Sequence, residues 1–386
     1  MNEKQSPFTR VALVKFISGH VPEVSLILIW VIVQSVVIYQ FGIVTDFEAK
    51  KYINEAWNFL QNGTVSTPNY WLYSVQIFLI AAALKLKTGF LSVVVVQLLF
   101  NGLSTYIFFK FIKKSGSHST AIILTFFLIC NFPYQSFNTA LQTESLFYSL
   151  TILFSCYLLQ LEKLTFKKSI LIFLFVVVIT FTRPTGLFFI PAAAIYLFFR
   201  FFHSFSLSLK LLSVISISVG FLIFLNIVLG SGGELDFMLP FRDESIICGV
   251  PTLFHFRNIR TSENPNSIFG IFYYITHNFD QFLRLAWLRS KAFWGLFRSY
   301  YSFGHNLYLG LYFLPFYTLI VASIREWVKK NKYSFLYCCS LIIITWGSVI
   351  LTCDDWHNRF YLSIVPYIYI LSIPVLQKIT NKLPGK

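Results

Sequence analysis

Residues 90–112 read FLSVVVVQLLFNGLSTYIFFKFI and are followed by Lys113 and Lys114. Only Lys110 within the run is charged. As a helix rising about 1.5 Å per residue the run reaches about 34 Å, enough to cross the roughly 30 Å hydrocarbon core of a bilayer. Comparable blocks recur at 23–42, 119–135, 139–160, 169–182, 185–202, 208–230, 306–324, 333–352 and 359–377. The chain therefore reads as an all-α polytopic membrane protein of about ten spans (~10–12), one membrane domain over residues 1–386. Composition agrees: 56% hydrophobic, 19% aromatic and 12% charged residues, against roughly 25% charged in a soluble domain. A water-soluble class is excluded.

The stretch 71–87 is ambiguous, and charge bias decides how to read it. Lys/Arg-rich short loops stay cytoplasmic, and every true crossing flips the side. If 71–87 crossed, Lys110, Lys113 and Lys114 would lie outside. If it lies at the interface or re-enters, the basic groups at 110–114, 163–168, Arg200 with Lys210, 325–332 and 378–386 all fall inside. That arrangement puts 18 of the 31 Lys and Arg but 4 of the 16 Asp and Glu inside, so the net charge of +15 is mostly topological. Both termini are then cytoplasmic, and MNEKQSPFTRVALVKF, basic and without a small-residue cleavage site, reads as an uncleaved lead-in. Nucleic-acid binding is not expected, because these cations flank spans and form no basic aromatic face. Two outer segments are long enough to carry function: 43–89, with interfacial or re-entrant helices, and the large loop 231–305. No repeat or inverted pair of interrupted helices marks a transporter. Six cysteines without a CxxC spacing predict neither a metal site nor a disulfide framework.

The polar residues of the outer face then stand out one group at a time. Asp46 and Glu48 follow the first span directly, with Tyr52 and Glu55 at helical spacing. A carboxylate at that depth is placed to take a proton from an acceptor hydroxyl, or simply to cap the helix that follows. Glu144 lies near the outer end of an apolar span, where an ionisable group either pairs with a neighbouring helix or binds ligand. Thr182-Arg183-Pro184-Thr185-Gly186 reads as an outer turn, with Arg183 offering a planar fork suited to phosphate.

The densest group interleaves Arg284, Arg289, Lys291 and Arg298 with aromatic residues and runs through Tyr301 to His305 and Asn306. It reads as an interfacial helix or as an anionic lipid head-group site in which Arg289, Lys291, Arg298 and His305 neutralise a phosphate. In the last outer turn Arg359 opens a helix against the dipole, which predicts a partner: Asp354, Asp355 or a bound phosphate. Asn62-Gly63-Thr64 fits a glycosylation sequon of little weight.

In succession, Asp46 and Glu48, Thr143 to Phe147, Arg183 to Gly186, Arg298 to Asn306, and Arg359-Phe360-Tyr361 with Pro366 resemble the GT-C superfamily of membrane glycosyltransferases. The resemblance covers most of the chain and is nearest to bacterial members similar to the protein O-mannosyltransferase and aminoarabinose transferase families. It implies a GT-C-like bundle in a bacterial cytoplasmic membrane. It also implies inverting transfer of a sugar from a polyprenyl-phosphate donor to a glycan, lipid or protein acceptor on the outer face. Asp46 leads as general base, with Glu48 beside it. Arg183, Arg289, Lys291, Arg298, His305 and Arg359 would hold the donor phosphate, and Tyr52, Glu144, Tyr301 and Asn306 the substrates. Many relatives have adjacent acids where this chain has Asp46-Phe47-Glu48, so the choice of base stays open. No cofactor is expected; a divalent cation at Asp46 and Glu48 would need further oxygen ligands and is not predicted. An O-antigen or capsule polymerase and a lipid-glycan flippase or transporter are the alternatives.

Overall fold

The computed structural model describes residues 21–202, 206–230, 238–250 and 259–382. The N-terminal lead-in and parts of the 231–305 loop lie outside the described residues. The described chain is helical, with α1 (Val21–Phe41), α2 (Glu48–Asn62), α3 (Ser74–Lys85), α4 (Phe90–Ser115), α5 (His118–Ile129), α6 (Phe132–Gln135), α7 (Glu144–Leu159) and α8 (Phe166–Thr182). These are followed by α9 (Phe189–Phe201), α10 (Leu207–Gly230), α11 (Leu239–Arg242), α12 (Ile268–His277), α13 (Phe279–Gly295), α14 (Phe303–Lys330), α15 (Lys332–Leu351) and α16 (Arg359–Thr380). Short 3-10 turns at Pro68–Tyr73, Ser136–Thr139, Pro184–Phe188 and Trp356–Asn358 lead into α3, α7, α9 and α16.

Among the described residues six helices are long and apolar enough to cross a membrane, or seven if one bent pair counts as a single span. The architecture is that of an all-α polytopic membrane protein, but the expected ten spans are not all span-length helices. The expected span 119–135 breaks: α5 stops at Ile129, and the chain resumes at an angle of 63°. Pro133, which has no N–H to donate, sits in the first turn of the new segment, and the Asn131 side chain accepts from the Tyr134 N–H at 3.2 Å. The helix expected over 139–160 starts only at Glu144 and has 16 residues, and α8 has 17. The ambiguous stretch yields α3, whose 12 residues reach only about 18 Å, too short to cross.

Irregular backbone at membrane depth is tolerated where protein groups satisfy it. Gln34 of α1 donates to Gln135 at 2.8 Å, Asn138 donates to Gln34 at 3.0 Å, and Ser145 donates to Asn138 at 2.6 Å. Gln97 of α4 donates to the Ala140 carbonyl at 2.8 Å. This buried network fixes the path from α5 to α7.

The core is aromatic. α4 packs along α7, α14 along α16, and α9 along α15. α16 is the most enclosed of the six, with 67% of its apolar window buried against 17% for α1, which faces outward along most of its length. Tyr337, Tyr361, Tyr367 and Tyr369 are fully buried, and their hydroxyls are partnered, as at Ser155 with Tyr337 (2.8 Å) and Tyr317 donating to Tyr361 (2.7 Å). In the 231–305 segment α13 buries Gln281, Leu285, Arg289 and Phe293 at a spacing of four and packs that face on α15.

Two short backbone clips place the loops that matter. The Val44 N–H donates to the Thr139 carbonyl at 3.0 Å and the Leu141 N–H donates to the Val44 carbonyl at 3.0 Å, tying the segment after α1 to the start of α7. The Asp354 N–H donates to the Ile246 carbonyl and the Cys248 N–H to the Asp354 carbonyl, both at 2.8 Å, tying the 231–305 segment to the turn before α16. Cys248 and Cys353 beside this second clip form a disulfide, with Cα atoms 5.2 Å apart. That corrects the expectation of no disulfide: two cysteines 105 residues apart carry no pairing signal until the topology joins them.

Candidate functional site

The cluster brings together five charged residues from four segments: Glu48, Glu144, Arg183, and Asp355 with Arg359. Glu144 stands in the first turn of α7, where the helix dipole favours a carboxylate, and is completely buried. It accepts from Arg183 Nη1 and, at 3.1 Å, from Arg359 Nη1. Arg183 Nη2 reaches Asp355 at 3.2 Å, and Arg359 Nη2 reaches the other oxygen of Asp355 at 2.5 Å. The four residues thus close a ring of alternating charge. Glu48, at the start of α2, joins through both oxygens, taking Arg359 Nη1 at 2.5 Å and Nη2 at 3.2 Å. Burial pushes the Glu48 carboxyl up, but the charge and hydrogen bonds of Arg359 outweigh it and hold the group down at about 2.

Local sequence explains how these side chains are aimed. Arg183 is extended between α8 and the Pro184 turn, and its guanidinium lies 5.6 Å from the centre of the Phe360 ring. Gly186 is required here, because a Cβ would fall 2.4 Å from the Ile179 carbonyl oxygen. Asp355 accepts from the Trp356 N–H at 2.8 Å, capping the turn before Arg359. The Tyr148 hydroxyl donates to the Arg359 carbonyl at 2.9 Å. Backbone strain flanks the cluster: Phe47, His357 and Asn358 have φ of 55°, 57° and 58°. A left-handed conformation costs a non-glycine residue about 1–2 kcal/mol, less for asparagine, and such strain gathers at functional sites.

A second pair sits beside the ring. Arg298 Nη2 contacts Asp354 at 2.5 Å with both side chains buried. Burial pushes the Asp354 carboxyl up to about 6 despite the opposing pull of Arg298. Arg298 also donates to the carbonyls of Ala292 (2.9 Å) and Phe297 (3.1 Å). The Nε atoms of Arg298 and Arg359 are buried and have no hydrogen-bond partner among the described residues.

Four of the residues singled out in the sequence, Glu48, Glu144, Arg183 and Arg359, meet in this cluster, and Arg298 lies against its edge. Asp46 is exposed on the surface of the bundle, and its carboxylate makes no hydrogen bond or ion pair with other described residues. It does not cap α2, whose N-cap is Phe47. Lys291 is exposed on α13. Tyr301 and His305 are half-buried and stack at 4.1 Å.

Three of the residues expected to contact ligand make contacts within the fold. Arg289 is completely buried and donates to the carbonyls of Ser245, Ile350 and Pro240 at 3.0, 2.9 and 2.9 Å. Burial there pulls its guanidinium down to about 10. Asn306 holds both the N–H and the carbonyl of Arg298, at 3.1 and 3.0 Å. Tyr52 is buried in the apolar contact of α2 with α3, against Tyr73.

Asp354 and Asp355, which the sequence marks only as partners for Arg359, each hold an arginine of the site: Asp354 holds Arg298, and Asp355 holds Arg183 and Arg359. The unfavourable charge of Arg359 at a helix N-terminus was the signal that pointed to them. The oxygens of Glu48, Glu144 and Asp355 face guanidinium groups, so a hard cation would have to displace an arginine to use them. Comparison with protein-family models, with curated proteins and with solved structures finds no match.

Proposed function

We propose that this protein is a GT-C-type glycosyltransferase that moves a sugar from a polyprenyl-phosphate donor to an acceptor on the outer face of the membrane. The observation that carries the reading is the contrast between Asp46, exposed and unpaired, and Glu48, two residues on and clamped by Arg359. A general base must have an oxygen free for the acceptor proton, and Asp46 has one where Glu48 does not. In the inverting step the acceptor oxygen attacks the anomeric carbon as the sugar–phosphate C–O bond breaks. The acceptor proton goes to Asp46 and the electron pair leaves on the prenyl phosphate. The open Nε donors of Arg298 and Arg359 are the buried cationic groups suited to that charge.

An apolar groove of about 580 Å³ between α13 and α14, lined by Trp294, Phe297, Phe303 and Phe313, suits an isoprenoid chain. The ten-span count also belongs to this reading, with the 24-residue α10 as a further span and α7, α8 and the bent α5–α6 pair as shorter or broken ones. Orientation with the cluster outside and both termini inside is supported by the Cys248–Cys353 disulfide, since such bonds persist in oxidising compartments.

The test uses purified wild type and Asp46→Asn in nanodiscs with isoprenoid lipids extracted from the native host, following release of free polyprenyl phosphate by mass spectrometry. Release by wild type alone is expected. Equal release by both removes Asp46 from the mechanism, and release by neither removes the monophosphate-linked donor.

A further inference from the structure

A second groove, of about 590 Å³, opens between α1, α4 and α5 at the end of the bundle away from the ion-pair cluster. The separation follows from α1: Glu23 lies in its first turn, Glu48 lies beyond its last, and its 21 residues span about 30 Å. The body of the groove is apolar, with Leu26, Ile27, Phe109 and Ile129. Trp30 is held in place, donating to Asn101 at 2.8 Å and packing against Gly102, where a Cβ would meet its ring at 3.4 Å. The mouth is charged, with Glu23, Lys110 and Lys113.

We propose that this groove binds an anionic glycerophospholipid, with one acyl chain along the apolar wall and the phosphate at Lys110 and Lys113. Charge complementarity selects the ligand. Glu23 is neutralised by Lys113 at 3.2 Å, with His118 at 3.7 Å, while Lys110 makes no ion pair with described residues. Lys114 follows in sequence, so the mouth keeps an excess of positive charge. Snorkelling alone explains lysines at a helix end, but not a polar group left open inside. Thr125 lines the groove, is 2% exposed, and its hydroxyl has no partner among the described residues. A buried hydroxyl without an acceptor is destabilising, and the ester carbonyl of a glycerolipid is an acceptor of the right kind. The chain's own residues 1–20 are the poorer occupant for this mouth, since they carry Lys4, Arg10 and Lys15 against a single acid, Glu3. The site is independent of sugar transfer.

The experiment equilibrates the full chain with mixed detergent micelles of phosphatidylglycerol and phosphatidylcholine and reads lipid retention by native mass spectrometry. Wild type retains phosphatidylglycerol about tenfold more than phosphatidylcholine, and Lys110→Gln with Lys113→Gln removes the preference. Because Lys113 also holds Glu23, Lys110→Gln alone, at an exposed position, is the second variant and lowers the preference several-fold. Thr125→Val lowers total retention of both lipids while leaving the preference. Equal retention of the two lipids by wild type, or a preference unchanged in both lysine variants, overturns the proposal.

Discussion

Glu48 and Arg359, 311 residues apart, meet through two hydrogen bonds of 2.5 and 3.2 Å, so the start of α2 is fastened to α16 by a fork-to-carboxylate contact. The same guanidinium also serves Glu144 and Asp355. Arg359→Met takes the bidentate partner from Glu48 and leaves Glu144 and Asp355 to share Arg183, and is expected to lower stability by about 3–5 kcal/mol, the usual result of breaking a buried pair from one side. Arg359→Lys should recover only part of this, because an ammonium cannot bridge the two oxygens of Glu48 in one plane. Thermal unfolding of the two variants in nanodiscs checks both statements.

Glu144 and Arg183 form the innermost contact of the ring, and their substitutions should not be additive. Glu144→Gln leaves Arg183 with Asp355 alone and Arg183→Met leaves Glu144 with Arg359 alone, whereas the double variant removes both charges of the pair. A double-mutant cycle on thermal stability should give a coupling of about 1–3 kcal/mol. A coupling near zero would mean that the two groups do not sense one another.

Asp46→Asn and Glu48→Gln should separate chemistry from architecture. Asp46 touches no described partner, so its variant should unfold at the wild-type temperature while losing transfer activity. Glu48→Gln weakens the hold on Arg359 and should lower the unfolding temperature. Unfolding curves and product release measured on the same preparations distinguish the two.

Asp354 titrates on the other side of its ordinary value from Glu48. Its folded-state carboxyl, held near 6 by burial, binds a proton more tightly than in the unfolded chain. Its contribution to stability is therefore complete below about 4, the unfolded value, and is lost as pH rises through about 6. Glu48 acts in the opposite sense: its contribution is present above about 4 and lost as pH falls through about 2. Asp354→Asn should flatten the change in unfolding temperature between pH 4 and 6 without altering the loss at lower pH.

The Cys248–Cys353 bond closes a loop of 105 residues immediately before Asp354 and Asp355. Reduction, or Cys353→Ser, is expected to cost about 2–5 kcal/mol and to loosen the hold on Arg298, Arg183 and Arg359. Unfolding with and without dithiothreitol checks the first effect. A drop in transfer activity of the intact, reduced protein checks the second.

What could be read in the sequence was whatever conflicts with its surroundings. Glu144 inside an apolar run, Arg183 on the face expected to be sparsely basic and Arg359 at the wrong end of a helix each break a local rule, and all three meet in one cluster. Arg289, Asn306 and Tyr52 broke no such rule. Their work is done on backbone carbonyls and in packing, which a linear pattern of residue types does not display. The break after Ile129 was hidden because Asn131 and Pro133 sit in a run that is apolar on both sides. The network of Gln34, Gln135 and Asn138 that makes it tolerable is assembled from distant positions.

The placement of Arg359 also sets an order of events during synthesis. Glu48 leaves the ribosome 311 residues before the guanidinium that holds it, an interval of roughly 15–60 s at ordinary elongation rates. Over that interval Glu48 has no Arg359 and Glu144 has only Arg183. The fastening of α2 is therefore a late event: until Arg359 emerges, Lys51, 3.9 Å away, is the counter-charge left to Glu48, and the clamp on this segment waits for the start of α16.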